Sequence, residues 1–129
     1  MKIELLMLAW SAALCVVLIV PAALGHLRQV GVPALAGNRE NTPAATGWAG
    51  RAKRAHTNML ENLPPFAALV LVVVVAGKTS AMTTMAAELF LIGRVVHAVA
   101  YIAGIAPVRT LGFAVGVIAM AMLLIAAVT

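Results

Sequence analysis

Four polar side chains recur in one short segment at spacings that put them on one face of a helix: Arg51, Arg54, Asn58 and Glu61. At about 100° per residue, they fall within about 80° of one another. Guanidinium groups offer paired N–H donors to carboxylates and phosphates, and an amide beside them adds both a donor and an acceptor. This face is therefore a candidate binding surface for an anionic ligand.

A second segment carries a similar polar face, with Arg94, His97 and Tyr101 at positions i, i+3 and i+7. Arg109 follows shortly after it. The two faces and Arg109 together hold four guanidinium groups against one carboxylate, that of Glu61. Such an excess of cation favours a ligand with more than one negative group. Glutathione, a nucleotide and a phospholipid headgroup all fit, and spacing alone does not choose among them.

A purely structural interpretation stays open beside this one. Glu61 could form ion pairs with Arg54 and Arg94 that only tie two helices together. Arg51, Lys53 and Arg109 could be residues whose apolar stems lie along a helix while their charged ends reach water.

The composition indicates which elements position these residues. Hydrophobic residues make up 64% of the 129-residue chain and charged residues 10%, against about 45–50% and about 25% in soluble domains. Mean hydropathy is +1.06. So apolar a chain cannot cover a water-facing exterior with polar groups, and we predict an integral membrane protein. The basic residues cluster in one loop, which suits membrane topology better than nucleic-acid binding.

Four apolar runs are long enough to cross a bilayer as helices. About 20 residues are needed at about 1.5 Å per residue, and isolated strands are excluded because their backbone groups would stay unpaired in lipid. We predict an all-α, four-helix membrane bundle, one domain over residues 1–129, with spans of about 3–27, 47–76, 81–104 and 108–128. Residues 31–47 are predicted to be a loop, and Pro21, Pro64 and Pro65 to bend their helices.

Orientation follows from the basic residues that flank the spans. Six basic residues lie on the side of the membrane that holds the long first loop and Arg109. Two, Lys2 and Lys78, lie on the opposite side. The positive-inside rule then places the long first loop in the cytoplasm and both termini outside, and the compact chain favours a bacterial inner membrane. Gly112 and Gly116 lie four apart, a spacing that lets another helix approach closely.

Two motifs in the chain resemble the signature of one family. Residues 54–62 read RAHTNMLEN, followed by Pro65 and Phe66, and residues 93–101 read GRVVHAVAY, followed by RTLGF at 109–113. Together they resemble the MAPEG proteins, the membrane-associated proteins in eicosanoid and glutathione metabolism. That family includes microsomal glutathione transferases and a prostaglandin E synthase.

The resemblance implies a homotrimer that binds glutathione, as co-substrate, between neighbouring subunits near the cytoplasmic side. Arg54, Asn58 and Glu61 match residues that hold glutathione in the family's enzymes. Arg94, His97 and Tyr101 match residues of the third span that contribute to the glutathione site. Arg28 matches an arginine of the first span that also touches glutathione. Arg51 joins this candidate set because it shares the face of Arg54.

Arg109 matches an arginine associated with activating the thiol. A thiol of pKa about 8.5 is mostly protonated at pH 7. A nearby guanidinium favours the thiolate, and Thr110 could add a hydroxyl hydrogen bond. The expected activity is glutathione-dependent transfer to hydrophobic electrophiles or reduction of lipid hydroperoxides. The chain departs from the family pattern at Met59, at Thr57 and in a segment after Tyr101 that is one residue shorter than in the mammalian enzymes.

Two other functions remain open. The family also contains a non-enzymatic member that binds lipid without glutathione, which makes a lipid-binding scaffold the main alternative. A proton-coupled transporter would need a carboxylate within a span, and Glu88 is the candidate besides Glu61. We expect no metal site. The expected partners are membrane lipids, a hydrophobic small-molecule substrate and further copies of the chain.

Overall fold

The computed structural model describes all 129 residues and contains helices but no strands. Six helices follow one another: α1 (Ile3–Val17), α2 (Ile19–Val30), α3 (Val32–Ala36), α4 (Gly47–Val75), α5 (Ala81–Ala103) and α6 (Ala106–Val128). Four helical stretches are long and apolar enough to cross a membrane, α1 and α2 together forming the first. The predicted all-α, four-span membrane bundle is confirmed.

Proline explains why the first span divides into two helices. Pro21 has no amide hydrogen, so it cannot donate to the carbonyl of Val17, and the regular helix is interrupted at Leu18. The bend predicted from Pro21 thus takes the form of a break at Leu18. Pro64 and Pro65 do not divide their helix, since α4 runs without interruption through both.

The turns between spans follow from helix-end chemistry. At Gly77, with φ +68°, the amide of Lys78 donates to the carbonyl of Val73 at 2.9 Å, closing α4 in a Schellman motif. Ser80 then begins α5 with a reciprocal capping box that involves Thr83. These contacts form the turn at the gap between the predicted spans 47–76 and 81–104.

The long first loop differs in one respect from the prediction. Residues 31–47 were expected to be irregular throughout, yet Val32–Ala36 forms the short helix α3. Pro33 lies in its first turn, where a missing amide hydrogen has no cost and the fixed φ suits a helix. Composition had indicated a loop because this stretch holds three Gly, two Pro, two Asn and two Thr, and no apolar period continues through it.

The core lies between the spans, and the exterior is apolar. Phe66 of α4 and Phe90 of α5 are fully buried and stack with ring centroids 3.7 Å apart. Large apolar side chains such as Val75, Val99 and Leu111 are exposed on the outside of the bundle. Since water would not favour such a surface and lipid would, the protein is an integral membrane protein.

Glycine brings α5 and α6 into close contact. A Cβ atom on Gly112 would lie 2.7 Å from the amide nitrogen of His97 and 2.8 Å from the carbonyl oxygen of Gly93. A Cβ on Gly116 would touch the Cδ of Arg94 at 3.4 Å. The predicted close helix approach at Gly112 and Gly116 is therefore present, and it sets how α5 presents its polar face.

Replacing Gly112 with alanine should destabilise the bundle. The new methyl group would overlap backbone atoms of α5, which cannot move aside as a flexible side chain could, and such overpacking costs about 1–3 kcal/mol. Thermal unfolding in detergent would measure the loss. Gly37→Ala is a matched control, because its Cβ would meet only the carbonyl oxygen of Pro33, at 3.7 Å. Equal stability of both variants would contradict the close contact.

A buried carboxylate ties α1 to α5 at the opposite end of the bundle from the two polar faces. Glu4 is 2% exposed and accepts hydrogen bonds from the hydroxyls of Thr83 at 2.6 Å and Thr84 at 3.2 Å. Lys2 donates to the hydroxyl of Thr79 at 2.7 Å. These contacts fix the start of α5 and so its rotation within the bundle.

Candidate functional site

Three cavities surround the side chain of Tyr101 at the end of the bundle near the long loop. One of about 390 Å³ lies between the loop and α4. A second of about 280 Å³ lies between α4, α5 and α6, and a third of about 130 Å³ lies where the ends of the same helices meet. Tyr101 lines all three, so they adjoin one another and form one candidate site.

The cavities are lined by far more positive than negative charge. Their cationic residues are Arg51, Lys53, Arg54 and Arg109, and their only carboxylate is that of Glu61. Glu61 is exposed at the mouth of the 390 Å³ cavity. A half-enclosed space with this imbalance attracts an anion, because charges near low-dielectric walls are weakly screened.

Arg94 acts on this site through a neighbour and does not line it. The side chain is 1% exposed, and its Nη2 donates to Oδ1 of Asn58 at 2.6 Å. Its Nε and Nη1 are buried with no hydrogen-bond partner. The ion pair between Arg94 and Glu61 that the structural interpretation allowed is absent, because α4 presents Asn58 to Arg94 and turns Glu61 outward.

This contact decides how Asn58 faces a ligand. Its Oδ1 also accepts from Nδ2 of Asn62 at 3.3 Å, so the oxygen is occupied by two donors. The Nδ2 group remains free to donate, and Asn58 lines both the 390 Å³ and the 280 Å³ cavities. Asn58 is therefore oriented as a hydrogen-bond donor, which suits a ligand carbonyl or carboxylate.

His97 and Tyr101 are the residues of α5 that border the site. The His97 ring is 2% exposed and meets the Tyr101 ring edge-on, with centroids 5.4 Å apart. Phe113 of α6 packs against His97, with ring centroids 6.4 Å apart. Nδ1 of His97 is buried without a partner. The aromatic packing holds Tyr101 between the cavities, with its hydroxyl as the polar end.

Arg109 lies in the first turn of α6, beside Tyr101. Its Cζ is 4.8 Å from the Tyr101 ring centroid, and that of Arg54 is 5.8 Å from it. The shorter segment after Tyr101 therefore still delivers Arg109 to the 280 Å³ cavity together with Asn58. Thr110 lines the same cavity, and its hydroxyl donates to the carbonyl of Ala106 at 3.1 Å, which leaves only its lone pairs for a ligand.

The remaining predicted residues lie at different distances from this centre. Arg51 lines the 130 Å³ cavity, and its Nε donates to the carbonyl of Ile102 at 2.9 Å, which ties α4 to the end of α5. Arg28 is exposed on α2 and lines none of the three cavities. Glu88, the carboxylate that a transporter would use, is exposed on α5 and is also outside them.

Some of the residues that line the 390 Å³ cavity could not be identified from the sequence. Ala44 and Ala45 in the loop and Gly50 on α4 all border the 390 Å³ cavity. Alanine carries no chemical signal, so no pattern could have identified the first two. Thr57 and Lys53 also line it, and their positions beside Arg54 and Asn58 on α4 were the one available clue.

The fold and these cavities define an integral membrane protein of four spans with a cationic, half-enclosed site at one end of the bundle. The MAPEG family model matches residues 5–129, almost the whole chain, and the chain belongs to this family. Comparison with curated proteins gave no match, and neither did comparison with solved structures.

Proposed function

We propose that this protein is a membrane-bound, glutathione-dependent transferase or peroxidase acting on hydrophobic electrophiles or lipid hydroperoxides. The observation that carries the proposal is the position of Arg109 beside Tyr101, in a cavity that also contains the oriented amide of Asn58. The family to which the chain belongs includes glutathione transferases.

The charges of the site match those of glutathione. The tripeptide has two carboxylates, one ammonium group, two amides and a thiol. Lys53 and Arg54 in the 390 Å³ cavity suit the carboxylates, and Glu61 at its mouth suits the ammonium group. Asn58 then donates to a backbone carbonyl of the tripeptide. A single carboxylate beside several cations is the composition that such a ligand needs.

Arg109 supplies the chemistry in this proposal. Its guanidinium stabilises the thiolate, so the thiol proton is lost to solvent at neutral pH. The thiolate sulfur attacks an electrophilic carbon, a C–S bond forms, and the leaving group departs with its electron pair. In the peroxidase reaction, two glutathione molecules are oxidised to the disulfide while the hydroperoxide is reduced to an alcohol and water.

We further propose the assembly and topology that the family resemblance and the charge pattern support. Three subunits associate in a bacterial inner membrane, with the long first loop in the cytoplasm and both termini outside. Arg28, exposed on α2, is then available to the site of a neighbouring subunit. Native mass spectrometry of the detergent-purified protein counts the subunits.

Glutathione binding measured by calorimetry tests the proposal. We expect saturable binding that Arg54→Ala and Glu61→Ala each weaken by about tenfold or more, because hydrogen bonds to charged groups contribute about 1.5–3 kcal/mol. Lys78→Ala is the matched control, since Lys78 lies at the opposite end of the bundle, where it donates to the carbonyl of Ala127.

Two results would decide against the proposal. One is no binding at millimolar glutathione. The other is binding that the Lys78 variant weakens as much as the Arg54 variant, which would indicate nonspecific attraction to a basic protein. Either would favour the lipid-binding scaffold, and the lipid that co-purifies would then be identified.

A further inference from the structure

The loop between α2 and α4 forms one side of the 390 Å³ cavity. We call residues 42–46 of this loop the wall segment. Ala44 and Ala45 within it are the only lining residues of this cavity that come from neither α4 nor α5. A ligand held by Arg54 and Asn58 would therefore meet the wall segment as the one part of its surroundings outside the helices.

Gln29 on α2 holds one end of the wall segment. Its Nε2 donates to the carbonyl of Thr46 at 2.8 Å, and the amide of Thr46 donates to its Oε1 at 3.0 Å. One side-chain amide thus satisfies both main-chain groups of a single residue. Since Thr46 immediately precedes α4, this pair fixes where the wall segment joins the helix.

His26 holds the other end. It lies one turn before Gln29 on α2, on the same face, and its Nε2 is 2.9 Å from the carbonyl oxygen of Pro43. A carbonyl can only accept, so Nε2 carries the proton in this contact. Ala44 and Ala45 lie between the two attachment points, so α2 holds the wall segment on both sides of them.

Gly50 allows the wall segment to rest directly on α4. A Cβ on Gly50 would lie 2.7 Å from the carbonyl oxygen of Ala45 and 3.3 Å from Nη1 of Arg54. The loop backbone and the Arg54 guanidinium thus approach the same point on α4. Any outward movement of the wall segment would widen the 390 Å³ cavity beside Arg54.

We propose that Gln29 is a positioning residue that keeps the wall segment closed against bound glutathione and so sets the affinity for glutathione. The inference rests on the proposed function, because it takes glutathione as the ligand. Gln29 should not influence thiolate formation, because Arg109 lines the two cavities that the wall segment does not border. Affinity and thiol ionisation are therefore controlled by different residues.

The test compares Gln29→Met with the wild type in the full-length protein in lipid nanodiscs. Methionine keeps the length of the side chain and removes both hydrogen bonds. We expect amide hydrogen exchange of residues 42–50 to become about three- to tenfold faster, since two exposed hydrogen bonds are lost. Glutathione affinity should fall by a similar factor, whereas the thiolate absorbance at saturating glutathione should not change.

Two further variants give the comparison its controls. Gln29→Glu keeps the acceptor for the Thr46 amide and loses the donor, so its exchange rate and affinity should lie between those of the wild type and of Gln29→Met. Asn38→Ala alters an exposed residue of the same loop that lies outside the wall segment and should match the wild type.

The outcomes separate this inference from the proposed function. Suppose that the wild type binds glutathione and that Gln29→Met has the same amide exchange rate or the same glutathione affinity. That result would overturn the role of Gln29 and leave the proposed function standing. A loss of thiolate absorbance at saturation in Gln29→Met would show general damage to the site and would also overturn it. Wild type that binds no glutathione would remove the proposed function and this inference together.

Discussion

Replacing Arg109 with alanine is expected to lower turnover by about 10²- to 10³-fold, the usual effect of removing one preorganised group that stabilises a developing or formed anion. Arg109 is the guanidinium closest to the Tyr101 ring, with Cζ 4.8 Å from its centroid. Without it, the pKa of the bound thiol should rise toward its usual value of about 8.5, so little thiolate would form at neutral pH. Thiolate absorbance and turnover with an aryl halide electrophile would be measured together.

Raising the pH separates this role from a structural one. Above about pH 9.5, a thiol of ordinary pKa ionises without help, so Arg109→Ala should regain much of its lost thiolate. Arg39→Ala removes a charge from the long loop, where Arg39 bonds only to the carbonyl of Leu35, and should leave thiolate formation unchanged. If Arg109→Ala formed as much thiolate as the wild type at pH 7, the assignment would be wrong.

Much of the fold could be predicted because the membrane reduces the number of backbone structures that a span can adopt. A charge-free run of about 20 residues has to be a helix in lipid, whatever the β-propensity of its valines. This is why the Val-rich end of α4 was predicted correctly. The helix ends at Gly77 and Ser80 were also predictable, because each depends only on residues a few positions away. The helix α3 was not predicted, since its five residues carry no periodic pattern.

The candidate site could be predicted only in part. Helical periodicity places Arg54 and Asn58 on one face of α4, and the structure brings them to one cavity with Tyr101. Periodicity gives no information on how deep a helix packs or which residues face each other across an interface. Arg94 was therefore expected among the ligand contacts and instead lies behind Asn58.

The contact between Arg94 and Asn58 predicts an unusual order of stabilities. Asn58→Leu removes the only hydrogen-bond partner of a guanidinium that is 1% exposed. Losing a hydrogen bond to a buried charged group costs about 1.5–3 kcal/mol. Arg94→Met removes the charge itself and keeps most of the side-chain stem, so it should be far less damaging. Unfolding by SDS titration would measure both.

The double variant makes this comparison decisive. Combining Arg94→Met with Asn58→Leu removes both polar partners, and such paired replacement is close to neutral when the shapes are similar. The double variant should therefore be more stable than Asn58→Leu alone, whereas independent effects would make it less stable.

Glutathione affinity should follow a different order from stability. Asn58→Leu removes a ligand donor, and Arg94→Met frees the Asn58 amide to rotate, so both should weaken binding. Asn62→Ala is the matched control, because it removes the hydrogen bonds of Asn62 to Asn58 at 2.8 and 3.3 Å and leaves that of Arg94 in place. Stability that falls in the order Asn62→Ala, Arg94→Met, Asn58→Leu would show that Asn58 satisfies a buried guanidinium as well as facing the ligand. A double variant less stable than Asn58→Leu would mean that Arg94 stabilises the bundle through its own packing.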